Sequence, residues 1–185
     1  MTRNYSMSSS SKKIYNYLLV QEFLKAIGGE YALELVKICT NKRKPATDED
    51  IGKKLPLKIT EIRTILNRLH YRGIACYQKT KNAKTGWYSY TWEIKSNRIA
   101  TLILEQHAED ITKLEKEIEF EGTHTFFSAG KDSPTYPFEI AAEYGFKCPE
   151  SGKSLKAMDN KKRVNDLKRK IMIMKTEVTD LEKII

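Results

Sequence analysis

The stretch Lys58-Ile59-Thr60-Glu61-Ile62-Arg63-Thr64-Ile65-Leu66-Asn67-Arg68-Leu69-His70-Tyr71-Arg72-Gly73 runs into Ile74-Ala75-Cys76-Tyr77-Gln78-Lys79 and, past a polar turn, into Trp87-Tyr88-Ser89-Tyr90-Thr91-Trp92-Glu93-Ile94. Its hydrophobic period changes partway along. Up to Tyr71, Ile62, Ile65, Leu66 and Leu69 share one face at helical spacing, Arg63, Arg68 and Arg72 lie off it, and Gly73 supplies a stop. Beyond Gly73 the period falls to two, and aromatic and β-branched residues crowd the second run. Two strands joined by the turn at 81–86 are expected.

Working back from this stretch, Thr47 precedes Asp48-Glu49-Asp50, a hydroxyl N-cap followed by acids in the first turn, where the helix macrodipole favours them. That predicts a short helix ending near Lys54. Before it lie a basic turn over 41–45, a helix over 30–40, and an amphipathic helix over 12–27 carrying Ile14, Tyr17, Leu18, Phe23, Leu24 and Ile27, which Gly28-Gly29 stops. Helix, short helix, helix, hairpin is the order of a winged helix. Its recognition helix is the one after the short helix, and the hairpin loop is the wing.

Charge supports an anionic partner for this half. The chain has 185 residues and a net charge of +9, distributed as +2 over 1–30, +8 over 31–96, −5 over 97–147 and +4 over 148–185. Lys58, Arg63, Arg68 and Arg72 on the helix, with Lys79, Lys81 and Lys84 on the wing, are the candidate phosphate contacts. A solvated charged face is the competing reading. Base-reading side chains are scarce, with Asn67 alone on that helix, so any DNA binding is expected to be sequence-tolerant. By strand alternation Tyr88, Tyr90 and Trp92 share a face and are expected in the core, while Trp87 beside the turn is a candidate contact for an unpaired base or for a partner protein.

Catalytic chemistry is thin. His70, His107 and His124 are scattered and no phosphate-binding glycine loop occurs, so an enzyme is not expected. The three cysteines, Cys39, Cys76 and Cys148, make no disulfide framework, and Cys39 and Cys76 are expected in the core. Without a signal-like or membrane-spanning apolar run the chain reads as cytoplasmic and nucleoid-associated, with no membrane partner.

Four segments, Gly29-Glu-Tyr-Ala-Leu-Glu-Leu-Val-Lys37, Thr47-Asp-Glu-Asp-Ile-Gly-Lys-Lys-Leu55, Glu61-Ile-Arg-Thr-Ile-Leu-Asn-Arg-Leu69 and Thr85-Gly-Trp-Tyr-Ser-Tyr-Thr-Trp-Glu93, resemble archaeal transcription factor E, the relative of the alpha subunit of eukaryotic TFIIE. The resemblance covers roughly residues 12–160. It implies a basal transcription initiation factor that binds the RNA polymerase clamp and stalk and promoter DNA near the melted region, with TATA-binding protein and a factor E beta-like subunit as further partners. The rival readings are a winged-helix repressor and an interaction scaffold that binds no DNA.

The resemblance also implies a zinc ribbon after the linker helix, built on two Cys-x-x-Cys pairs. Here Gly145-Phe146-Lys147-Cys148-Pro149-Glu150-Ser151-Gly152 keeps the second phrase with Ser151 at its second ligand position, and alignment on Phe126-Phe127 puts Ser128 and Lys131 at the first pair. One thiolate, two hydroxyls and an ammonium cannot hold tetrahedral zinc, even with His124 nearby, so no metal or other cofactor is expected. Phe126, Phe127, Tyr136, Phe138, Tyr144, Phe146 and Leu155 are left to form a small core in its place.

Two long helices flank that insert. Leu104, His107, Ile111, Leu114 and Ile118 alternate steps of three and four, as do Val164, Leu167, Ile171, Met174, Val178, Leu181 and Ile185. Glu115, Glu117, Glu119 and Glu121 close the first helix, and Lys161, Lys162, Arg163, Lys168, Arg169 and Lys170 open the second, so antiparallel pairing within one chain would join opposite charges. Pairing between chains is the rival arrangement. The expected fold is therefore mainly α with a small β-hairpin. An extended winged helix spans 12–96, a linker helix 97–121, a degenerate, metal-free zinc-ribbon-like insert 122–158, and a C-terminal coiled-coil helix 159–185.

Overall fold

A computed structural model describes residues 14–40, 45–81, 83, 86–130 and 133–184. After a 3-10 turn over Ile14–Asn16 come α1 (Leu18–Gly28), α2 (Ala32–Thr40), β1 (Ala46–Thr47), α3 (Asp48–Gly52), α4 (Ile59–Tyr71), β2 (Ala75–Lys81) and β3 (Tyr88–Ile94). There follow α5 (Ser96–Thr123), β4 (Phe126–Ser128), β5 (Thr135–Pro137), α6 (Phe138–Glu143), β6 (Lys156–Met158) and α7 (Lys161–Glu182). The fold is mainly helical with two small antiparallel sheets, ordered β1-β3-β2 and β5-β4-β6. Two compact units divide the chain. One runs to Glu105 and takes in the chain from Val178 onward, and the other is Gln106–Glu177.

In the first unit α4 presents Ile62, Ile65, Leu66 and Leu69 to a core that also holds Val20, Leu24, Leu35 and Ile51. Gly28 lets α1 come close to its neighbours, since a Cβ there would lie 2.7 Å from that of Ala32 and 3.1 Å from the Ile65 side chain. Thr47 caps α3 as its sequence suggests: its hydroxyl accepts from the Asp50 amide at 3.1 Å, and Asp50 accepts from the Thr47 amide. Gly73, at φ 72°, ends α4 and turns the chain into β2. Antiparallel pairing from Ala75 opposite Ile94 to Lys81 opposite Tyr88 then closes the hairpin.

Three expectations need correction here. The first helix begins at Leu18 rather than near residue 12, of which residues 12 and 13 lie outside the described residues. Ahead of it, Tyr15 turns inward to share a 2.7 Å hydrogen bond with Ser96, and burial raises its phenol pKa. Cys76 is not core. It lies on the opposite face of β2 from buried Ala75 and directs its thiol at the Glu93 carbonyl. Of the three aromatics on one face of β3, Trp92 alone is buried, at 4% exposure, whereas Tyr90 is half-buried and Tyr88 is 54% exposed. Alternation fixes which face a residue occupies. Here that face leaves the core before the strand reaches its outer end.

α5 and α7 contribute to both units. In the first, Ile99, Ile103 and Leu181 are buried in one core and Leu104 packs against it. In the second, a carboxylate of α5 and a base of α7 meet repeatedly: Lys175 reaches Glu115 at 3.0 Å, and Arg163 reaches Glu117 at 2.9 Å and Glu121 at 3.1 Å. His107 lies 3.2 Å from Glu177. The partner numbers fall along α7 as they rise along α5, so the helices run antiparallel. Glu121 is buried, and Asn160 donates to both its backbone carbonyl and its carboxylate. Bonded to Glu117 and beside Glu121, the Arg163 guanidinium has its pKa raised. Ile185, the last residue of the apolar repeat, lies outside the described residues.

Between these helices Ala141, Cys148 and Leu155 are buried, with Phe127, Tyr136 and Phe146 packed partly over them. Phe138 and Tyr144, expected in that core, are half-exposed instead, and Phe126 packs on Phe120 of α5 at 5.7 Å. With Ala141, Cys148 and Leu155 as its buried residues, this core is too small to enclose every ring. Phe146 adopts φ 56° directly after Gly145 at φ 57°. A left-handed conformation costs a side-chain-bearing residue about 1–2 kcal/mol. Ring contacts with Phe127 at 5.1 Å and Phe138 at 5.9 Å offset it.

The zinc-ligand positions do not fit a metal. The Ser128 hydroxyl donates to the Gly130 carbonyl at 2.8 Å. Cys148 is 2% exposed, with its thiol 3.8 Å from the Tyr136 hydroxyl. Hydrogen bonding from Ser151 lowers the Cys148 pKa, while burial raises that of Tyr136. His124 places Nδ1 3.0 Å from the Phe120 carbonyl, and Lys131 lies outside the described residues. Among the described residues, no three His, Cys, Asp or Glu side chains come together as a metal site.

Two measurements check this arrangement. In a background lacking the native cysteines, the pairs Leu104→Cys with Val178→Cys and Ile118→Cys with Val164→Cys should crosslink within one chain at high dilution. Crosslinks found only between chains would overturn the antiparallel pairing. The purified protein should carry no stoichiometric zinc by elemental analysis and melt at the same temperature with or without a chelator. A chelator-induced drop in the melting temperature would show a structural metal.

Candidate nucleic-acid interface

The candidate contacts of α4 separate into two sets. Arg63 donates from Nε to Asp48 Oδ2 at 2.6 Å, and Asp48, 5% exposed, accepts at Oδ1 from the Trp92 indole, also at 2.6 Å. One buried carboxylate thus ties the start of α3 to α4 and β3. Arg63 is a brace as well as an exposed cation. At 3.6 residues per turn, Arg68 projects roughly 140° around the helix from Arg63. Arg68 and Arg72 are exposed. Lys58 precedes the helix and donates its amide to Glu61 at 2.8 Å.

On the hairpin, register does what alternation alone could not reveal. Tyr77, Lys79 and Lys81 stand opposite Trp92, Tyr90 and Tyr88, all on one face. Tyr77 meets Trp92 at 5.2 Å and Tyr90 at 5.6 Å, and Lys79 places its ammonium 4.0 Å from the centre of the Tyr88 ring, with that of Lys81 at 5.9 Å. The His70 ring of α4 stands 5.1 Å from Tyr77. Its Nδ1 lies 2.8 Å from the Ala75 carbonyl, an oxygen that can only accept, so Nδ1 carries the proton. The result is a strip of rings and ammonium groups that grows more exposed from Trp92 towards Tyr88.

Of these rings, Tyr88 and Tyr90 were expected in the core, and neither Tyr77 nor His70 was expected at the interface. The signal was the count of residues between strands, which sets Lys79 and Lys81 opposite tyrosines, yet it becomes readable only once the turn length is known. Trp87 lies beside the turn and is 78% exposed. Lys84 lies outside the described residues. Such a strip suits an unpaired strand chemically: ring faces stack on bases, and ammonium groups meet phosphates. Nothing in it resembles a nucleophile with its base.

Comparison with known proteins places this geometry in a family. The family described as the TFIIE alpha subunit matches residues 18–123. Transcription factor E of Methanocaldococcus jannaschii is 34% identical over 162 residues, covering 86% of this chain and 93% of the relative. The Thermococcus kodakarensis protein of that name is 32% identical over 158 residues, covering 85% of each chain. That of Metallosphaera sedula is 31% identical over 160 residues, covering 86% of this chain and 91% of its own. A possible transcriptional regulator from Methanosarcina mazei is a structural neighbour at 19% identity and a TM-score of 0.43, covering 53% of this chain and 87% of that one. Because the family match takes in α1 to α5 with the whole Asp48 brace and hairpin, and the factor E relatives extend over most of the rest, the chain belongs to the TFIIE alpha family.

Proposed function

We propose that this transcription initiation factor acts through an extended winged helix whose α4 and hairpin meet promoter DNA at the edge of the melted region while the chain docks on the clamp and stalk of RNA polymerase. The observation that carries the reading is the strip on the hairpin, where Lys79 and Lys81 stand opposite Tyr90 and Tyr88 and beside Tyr77. Lysines over rings provide a stacking surface and phosphate contacts together, and neither depends on base identity. Arg68 and Arg72 add exposed cations on α4, with Lys58 and Lys84 further candidates. Arg63 serves chiefly to position α4 against Asp48. The same reading takes TATA-binding protein and a factor E beta-like subunit as further partners, places the protein with the nucleoid, and assigns it no catalysis.

A repressor would need base-reading groups on α4, and a scaffold would need no DNA at all. Retention on immobilised RNA polymerase, combined with mobility shifts on arbitrary duplex and on a pre-melted bubble, distinguishes the three. The expected result is binding to polymerase with tighter binding to bubble than to duplex. A strong preference for one duplex sequence would indicate a repressor, and polymerase binding without any DNA shift would indicate a scaffold.

Substitution separates roles within the strip. Trp87→Ala should weaken bubble binding by about 1–3 kcal/mol, the usual worth of a stacked base. Its thermal stability should change little. Trp92→Ala, which empties a buried site and strands Asp48, should cost about 3–5 kcal/mol of stability. Replacing Lys79, Lys81 and Lys84 by Ala should flatten the salt dependence. Equal melting losses for the two tryptophan variants, or an unchanged salt slope, would contradict these assignments.

A further inference from the structure

Beyond the hairpin, a second set of cations stands uncompensated, in the Gln106–Glu177 unit. The first ten residues of α7, Lys161 to Lys170, hold six bases and one acid, Asp166. Two of the bases are engaged: Arg163 with Glu117 and Glu121, and Lys161 with Asp159. The other four, Lys162, Lys168, Arg169 and Lys170, are exposed, and none has an ion pair or hydrogen bond among the described residues. Lys162 and Arg169, seven residues apart, share a helix face, which Lys168 and Lys170 flank. Of the acids that close α5, Glu115, Glu117 and Glu121 already have bases of their own, and Glu119 pairs with none of the four.

This placement opposes the local physics. Cations in the opening turns of a helix face the positive end of the macrodipole, and four crowded within nine residues repel one another. Further along, α7 turns acidic at Glu177, Asp180 and Glu182, although the C-terminal turns are where bases would be favoured. An anion outside the chain would reverse the balance. Within Lys161–Lys170 the only apolar side chains, Val164 and Leu167, are half-buried. The exposed apolar pair Met172 and Ile173 comes after the cations. A cationic row interrupted only by Asp166, with no apolar anchor, suits a polyanion better than an acidic protein face, which would bring apolar residues of its own.

We infer that Lys162, Lys168, Arg169 and Lys170 of α7 form a second DNA contact, sequence-independent and made to the phosphates of duplex DNA, separate from the hairpin strip. It rests on the reading that the chain meets promoter DNA. Because it involves phosphates only, it favours double-stranded DNA without regard to melting, whereas the strip favours unpaired bases.

The test uses the full chain and an arbitrary duplex, with anisotropy measured across a range of KCl. Each phosphate neutralised contributes about 0.9 to the slope of log K against log salt. Joint substitution of Lys162→Gln, Lys168→Gln, Arg169→Gln and Lys170→Gln should therefore reduce the slope by about 3.6 and weaken duplex binding at least tenfold, with the melting temperature unchanged or raised. Arg169→Lys alone should leave the slope as it was. An unaltered slope in the fourfold variant overturns the proposal. So does an unaltered slope accompanied by lost retention on polymerase, which would assign the patch to an acidic protein surface. A parallel variant replacing Lys79, Lys81 and Lys84 by Ala separates the two readings. If its slope falls while that of the α7 variant does not, the second contact fails and the hairpin reading stands. If wild-type protein binds no DNA at low salt, both fail.

Discussion

The Asp48 carboxylate holds the first unit in register. It is buried, and each oxygen has one strong donor, the Trp92 indole on one side and the Arg63 guanidinium on the other, both at 2.6 Å. Leaving a buried donor unsatisfied costs about 1–3 kcal/mol, so Trp92 and Asp48 constrain each other. Because Asp48 begins α3, Arg63 lies on α4 and Trp92 on β3, three elements meet at one charge. Strand pairing with β1 and the His70 bond to the Ala75 carbonyl also hold the base of the hairpin, but among the described residues Asp48 alone ties it to α3 and α4 through one side chain. The strip of Tyr77, Tyr88 and Tyr90 is an outward continuation of the same strand face, so its orientation derives from that brace.

A comparable logic orders the second unit by hydrogen bonding. Glu121 is buried at the end of α5 and met by Arg163 and Asn160. The serines and cysteine at the positions implied for metal ligands are committed to local partners: Ser128 to Gly130, and Cys148 to Ser151 and Tyr136. A zinc ion would need four donors at one point, whereas here Cys148 and Ser151 bond to each other and Ser128 bonds to Gly130 instead. Packing among Phe127, Phe138 and Phe146 then does the work of closure, including the left-handed turn at Phe146.

Local signals in the sequence carried over well to the fold. Thr47 with Asp50, Gly73, and the apolar spacing of Ile62, Ile65, Leu66 and Leu69 act within a few residues, and their elements lie within a few residues of where the pattern puts them. The charge complement between Glu117 or Glu121 and Arg163 was likewise visible as two oppositely charged runs. Burial was less legible. Alternation grouped Tyr88 with Trp92 correctly by face, but how far the core extends beneath a strand depends on distant helices. Arg63 reads as one more surface base because its partner Asp48 lies fifteen residues away, in another helix. The tyrosine–lysine strip depends on cross-strand register, which the residues of β2 do not encode by themselves.

On the proposed function, the chain helps RNA polymerase hold promoter DNA open by means of its braced, aromatic and basic hairpin. Permanganate reactivity of promoter thymines, measured with a cognate archaeal polymerase and its basal factors in the presence and absence of this protein, tests it directly. Stronger reactivity within the melted region is expected when the protein is added, with unmelted flanking thymines unchanged. Reactivity that stays the same while the protein is demonstrably bound to the polymerase would contradict it.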